Sequence, residues 1–99
     1  MTITSNVPKQ ETIIKLLTVL FPDATIYLFG SRARGTHTER SDIDVAINLG
    51  RKMTFEEIGI ARNVIESLNI PQKIDIVDMN SISASMKEQI LKDGILWKD

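Results

Sequence analysis

The 99-residue chain predicts an α/β or α+β sandwich, a small sheet covered by helices, and three observations predict it. Segments with apolar residues at helical spacing take turns with segments of alternating or β-branched residues. Proline, glycine or a capping residue marks each change of pattern. No internal repeat, low-complexity tract or linker interrupts the succession, so residues 1–99 read as one domain.

The elements follow in order. From Pro8, suited to a first helical turn, Ile13, Ile14, Leu16, Leu17, Leu20 and Phe21 recur at helical spacing until Pro22 stops the pattern. Thr25 to Phe29 is a run of strand formers in which Tyr27 packs on the sheet, and the few residues after Gly30 read as a short helix. From Asp42 to Asn48 the chain alternates strictly, with Ile43, Val45 and Ile47 on one face. Thr54 and Glu57 form a capping box, followed by a helical stripe of Phe55, Ile58, Ala61, Val64, Ile65 and Leu68. Lys73 to Val77 follows Pro71 as a strand, and Asn80 or Ser81 then caps a helix carrying Ile82, Met86 and Ile90 that Gly94 ends. The predicted order is α-β-α-β-α-β-α. Trp97, with Ile95 and Leu96, follows the last helix and either folds back over the sheet or joins a subunit contact; core packing is the favoured reading, because a lone terminal aromatic often finishes a small core.

Composition excludes several kinds of chemistry. The chain has no cysteine and a single histidine, so no disulfide framework, thiolate metal site or multi-histidine metal site can form. Any metal must be held by oxygen. Twelve basic and 13 acidic residues leave a net charge of -1, which offers nothing global to a nucleic-acid backbone or an anionic membrane. Apolar runs are far too short to span a bilayer, and the segment at Met1 lacks the basic start and apolar stretch of a signal peptide. A cytoplasmic protein is expected.

The informative stretch runs from Phe29 to Val45. Asp42 and Asp44 are two apart on a strand, so both side chains leave one face while Ile43 and Val45 enter the core. Two carboxylates about 7 Å apart repel each other, and a divalent cation between them is a physical reason to keep such a pair, magnesium being the one that oxygen-only ligands suggest. Gly30 and Ser31 close the first strand in a turn that can aim amide groups and a hydroxyl at a phosphate, and Arg32 and Arg34 can add forked donors. Asp75 lies between Ile74 and Ile76 and points away from their face. If its strand neighbours that of Asp42 and Asp44, three carboxylates converge and can share two metals about 4 Å apart. Each feature alone has a competing reading: solvated acids, a capping serine, solvent-facing arginines. The same holds for His37 and Ser41, read as an exposed loop histidine and as either a turn hydroxyl or a phosphate contact.

Gly30-Ser31, ten residues, Asp42-Ile43-Asp44 and one acid on the next strand resemble the pattern of the DNA polymerase β-type nucleotidyltransferase superfamily. Gly30-Ser31-Arg32-Ala33-Arg34-Gly35 followed by Ser41-Asp42-Ile43-Asp44 resembles its minimal nucleotidyltransferase branch, the antitoxins of HEPN/MNT pairs. The resemblance implies a three-stranded mixed sheet flanked by helices. It also implies that a nucleoside triphosphate rests on Gly30, Ser31, Arg32 and Arg34, and that two Mg2+ ions are held by Asp42, Asp44 and Asp75. Asp75 then also helps deprotonate the attacking hydroxyl. Transfer of AMP from ATP to a tyrosine of a HEPN-domain toxin is the activity so implied. Two other readings remain: a catalytically silent module that neutralises the HEPN partner by covering it, and nucleotidylation of a small molecule. The oligomeric state, including a homo-oligomer, is left open, and tight nucleic-acid binding is not expected.

Overall fold

A computed structural model describes residues 7–99; the reading of the Met1 segment lies outside the described residues. The first helix, α1 (Gln10–Leu20), inserts Ile13 and Leu17 into the core. Val19, on its other face, is 72% exposed. The helix begins two residues after Pro8, which sits in the preceding turn, and Pro22 stands just beyond its end. Next come β1 (Thr25–Phe29), the single turn α2 (Ser31–Arg34) and β2 (Ile43–Asn48). They are followed by α3 (Phe55–Glu66), β3 (Ile74–Asp78), α4 (Ala84–Asp93) and β4 (Ile95–Lys98).

Among the described residues the sheet has four strands in the order β3-β2-β1-β4, which corrects the expected three. β1 pairs antiparallel with β2 and with β4, while β2 and β3 run parallel across the crossover helix α3. The segment expected to finish the core is the fourth strand, with Trp97 buried on it. Its physical reason lies at Gly94: the residue is extended, its N–H donates to Ile90 O, and a Cβ there would press on Ile90 O and Leu28 O. A small residue therefore lets the chain leave α4 directly against β1 and cover an otherwise unpaired edge.

Alternation sorts the two faces. Ile26, Leu28, Ile43, Val45, Ile47 and Ile76 join Ile13 and Leu17 of α1 and Ala61 and Ile65 of α3 in the larger core. Ala46, Met79 and Ile90 form a smaller core under α4, flanked by Tyr27, Phe29, Val77, Ile82 and Met86. Phe55, expected in the buried stripe of α3, is 95% exposed, because the first residue after the cap points off the packed face. The capping box itself is present, Thr54 Oγ1 accepting from Glu57 N–H at 3.1 Å and Glu57 Oε1 accepting from Thr54 N–H at 2.9 Å.

The last helix is capped by Ser83, not by Asn80 or Ser81, because those two side chains are already used. Asn80 donates to Asn48 Oδ1 at 2.9 Å and Ser81 donates to Asp78 Oδ2 at 2.6 Å. Asp78 is buried and also accepts from the N–H groups of Met53 and Asn80, at 2.8 and 2.9 Å. Burial pushes its carboxyl pKa up, but these hydrogen bonds more than offset burial and hold it below the ordinary carboxylate range. One carboxylate thus ties the end of β3 to the loop that leads into α3.

Trp97 is the chain's single tryptophan, so its fluorescence reports the docking of β4 directly. Trp97→Phe should leave the fold intact, whereas Trp97→Ala should cost about 3–5 kcal/mol in urea unfolding followed by circular dichroism.

Candidate functional site

Register brings the acids together. Asp44 on β2 stands opposite Asp75 on β3 and opposite Phe29 on β1, so Phe29, Asp44 and Asp75 form one row across the sheet. They belong to the face that α4 covers elsewhere, together with Ala46 and Val77 two residues further along their strands. Asp42 immediately precedes β2 and is exposed. Asp44 and Asp75 are half-buried.

The electrostatics of the row centre on Asp44. Burial raises its carboxyl pKa first, and the charges of Asp75 and then Asp42 raise it further, while Arg34 and Lys73 pull in the opposite direction and lose. Lys73 was not singled out from the sequence. Its signal was its position, two residues before Asp75, at the start of the strand that delivers that acid.

Gly30 fixes the other side of the site. Its backbone, at φ 75 and ψ -157, lies in a region essentially reserved for glycine, and a Cβ there would collide with Asp44 Oδ2. The turn after β1 can therefore pack directly on the Asp44 carboxylate only with glycine at this position. Ser31 opens α2 half-buried, and its hydroxyl makes no hydrogen bond among the described residues. Arg34 is exposed one turn on.

Arg32 and Arg34 part company. The sequence set both as phosphate donors, but Arg32 is only 4% exposed and its guanidinium is spent on the loop between α2 and β2. Nε donates to Ser41 O at 3.2 Å, and Nη2 donates to Thr38 O and Glu39 O at 3.3 and 3.1 Å. Ser41 Oγ in turn accepts from Thr38 N–H at 2.9 Å, the turn-stabilising bond considered for it. Gln72, from the segment before β3, donates to Glu39 O at 2.8 Å. A forked cation inside the loop thus fixes the chain up to the residue before Asp42. His37, expected to be exposed, is half-buried, and its Nδ1 has no partner among the described residues.

The donor set consists of oxygens alone, which suits a hard divalent cation. The mutual repulsion that lifts the Asp44 pKa is what such a cation would relieve. Among the described residues no three such side chains make a ready-formed cage. The row can accept a cation; it is not closed around one.

Residues 11–98 match the family described as Polymerase beta, Nucleotidyltransferase. The protein adenylyltransferase MntA of Shewanella oneidensis is 34% identical over 93 residues, which cover 89% of this chain and 64% of MntA. The chain thus spans slightly under two thirds of that relative. Among solved structures, one of a toxin–antitoxin with AMP-PNP superposes with a TM-score of 0.77 at 30% identity, covering 93% of this chain and 75% of the other. A chain from the complex of tri-AMPylated Shewanella oneidensis HEPN toxin with MNT antitoxin gives a TM-score of 0.69 at 27% identity, with 91% and 70% covered.

Two measurements check this geometry. The folded-state pKa of Asp44 lies above its unfolded value of about 3.9, so its contribution to stability is full below that value and is lost as pH rises through the folded pKa. Asp44→Asn, measured without divalent cation, should therefore melt no lower than wild type at neutral pH, with any advantage shrinking to nothing below about pH 4. Arg32→Lys should cost about 1.5–3 kcal/mol and speed amide hydrogen exchange across residues 38–42, since one ammonium cannot serve three splayed carbonyls.

Proposed function

The chain belongs to the Polymerase beta nucleotidyltransferase family, and from that premise we propose that it transfers AMP from ATP to a tyrosine hydroxyl of a HEPN-domain toxin, acting as an antitoxin. The observation that carries the reading is the register that sets Asp44 beside Asp75, with the Gly30 turn packed directly on Asp44. Nucleotidyl transfer needs this juxtaposition of a phosphate-binding turn with carboxylates on one face. The relatives support the acceptor: one is named a protein adenylyltransferase, and one neighbour is a complex with an AMPylated HEPN toxin.

In this reading the triphosphate rests on the Gly30–Ser31 turn, with the Ser31 hydroxyl and the exposed Arg34 guanidinium as donors. Arg32 serves the nucleotide indirectly by holding the loop that presents Asp42. Asp42, Asp44 and Asp75 are the residues that would hold two magnesium ions, which when bound neutralise phosphate charge and lower the cost of ionising the acceptor. Asp75 accepts the proton of the tyrosine hydroxyl as its oxygen bonds to the α-phosphorus, the bond to the β-phosphate oxygen breaks, and pyrophosphate leaves. Asp75 also borders a cavity of about 600 Å³ along the open edge of β3, lined by Arg62, Lys73 and Ile74 among others. No described helix is long and apolar enough to cross a membrane, and a cytoplasmic site of action fits an ATP-dependent reaction on a toxin.

Co-expression with a HEPN partner, scored for growth and for partner mass, tests the proposal. Wild type should restore growth and add 329 Da increments, roughly one AMP each, to the partner, an expectation of group transfer itself. Asp75→Asn should bind ATP within a few-fold of wild type yet add no mass and restore no growth, because its work is done in the transition state. Full rescue by Asp75→Asn without added mass would reject catalysis and establish neutralisation by covering the toxin.

A further inference from the structure

A second cavity, of about 180 Å³, opens beside the glycine turn between α2 and α4. Gly30 and Arg34 form its near side, and Phe29, Met86 and Ile90 its apolar walls. Phe29 is the cross-strand neighbour of Asp44, so the cavity continues the row of acids on the side away from Asp75. It is smaller than the roughly 300–1,000 Å³ of a site enclosing a whole ligand, and so suits one part of a ligand whose remainder lies outside.

The remaining lining groups are Gln89 and Asp93, one helical turn apart on α4 and both exposed. Neither side chain makes a hydrogen bond or ion pair among the described residues. Asp93 is the last residue of α4, where the helix dipole disfavours negative charge. The fold itself gains nothing from an acid there. An apolar slot with a carboxamide and a carboxylate at its rim matches a planar ring that is apolar on its faces and carries an amino group and a ring nitrogen on its edge.

We propose that this cavity is the nucleobase subsite and that Gln89 and Asp93 select adenine. The proposal rests on the nucleotidyltransferase reading and deepens it. Phe29 and Met86 pack against the faces of the base. Gln89 pairs with the N6 amino group and N7, the two-point contact that a carboxamide makes with adenine. Asp93 accepts from the same amino group. Guanine places a carbonyl oxygen where adenine has the amino group, and that oxygen meets the Asp93 carboxylate, acceptor against acceptor. Arg34, shared between cavity and turn, joins the base end of the nucleotide to its phosphates.

Calorimetry on the full chain with a non-hydrolysable ATP analogue, its guanine counterpart and inorganic tripolyphosphate tests the assignment. Wild type should prefer the adenine analogue by at least about tenfold, the discrimination of one two-point base contact. Gln89→Ala and Asp93→Ala, both at exposed positions, should each weaken the adenine analogue by about fivefold or more and leave tripolyphosphate unchanged within about twofold, and Asp93→Ala should leave the guanine analogue no weaker, since it removes the carboxylate that opposes the guanine oxygen. Equal losses for the adenine analogue and tripolyphosphate would overturn the subsite, as would undiminished adenine binding in both variants. A wild-type chain that binds tripolyphosphate but shows no preference between bases rejects the base assignment and leaves the phosphate site standing. A chain that binds none of the three probes rejects the nucleotidyltransferase reading itself.

Discussion

Like charges held on one sheet face oppose folding, and the parallel register of β2 on β3 imposes this on Asp44 and Asp75. The register is not free to slip. A shift of one residue would carry Ile43, Val45 and Ile47 out of the core and turn the acids into it. Apolar burial on the far face of the sheet therefore forces the carboxylates together on the near face. The repulsion shows in the raised pKa of Asp44, and it is the stored tendency that a cation would relieve.

The surrounding polar groups hold the site in shape while leaving its open side unobstructed. Arg32 has left the surface to bind three loop carbonyls, and its neighbour Arg34 stays exposed beside the glycine turn. Asp78, at the other end of β3 from the acids, fixes the entry to α3 and the exit toward α4 with the same economy of one side chain and several backbone partners. Acids on one strand thus serve opposite ends: Asp75 is left with open space beside it, whereas Asp78 is buried and fully engaged.

The helix α4 has a double part. Its apolar side, through Ile90 and Met86, covers the sheet where Ala46 and Met79 lie, and its C-terminal end reaches Gly30. Gly94 then turns the chain onto β1. The close approach of α4 to the glycine turn creates the small apolar slot, so the strand that completes the sheet and the cavity beside the acids have one origin.

Local pattern was enough to place the alternation of helices and strands, the capping box at Thr54, and the glycine turn ahead of the strand that carries Asp44. These depend on residues a few positions apart, where periodicity and capping chemistry act locally. Long-range packing settled that β4 joins the sheet, that Arg32 points into its own loop, that Phe55 is exposed, and that Asp75 stands opposite Asp44 with Gln89 and Asp93 lining the cavity beside the turn. A guanidinium has the same local pattern whether it meets carbonyls or solvent, and a short apolar end such as Ile95 to Trp97 becomes a strand only if an unpaired edge is within reach. Those outcomes depend on which distant segments meet, which is fixed by how the two faces of the sheet bury their apolar side chains and not by any spacing along the chain.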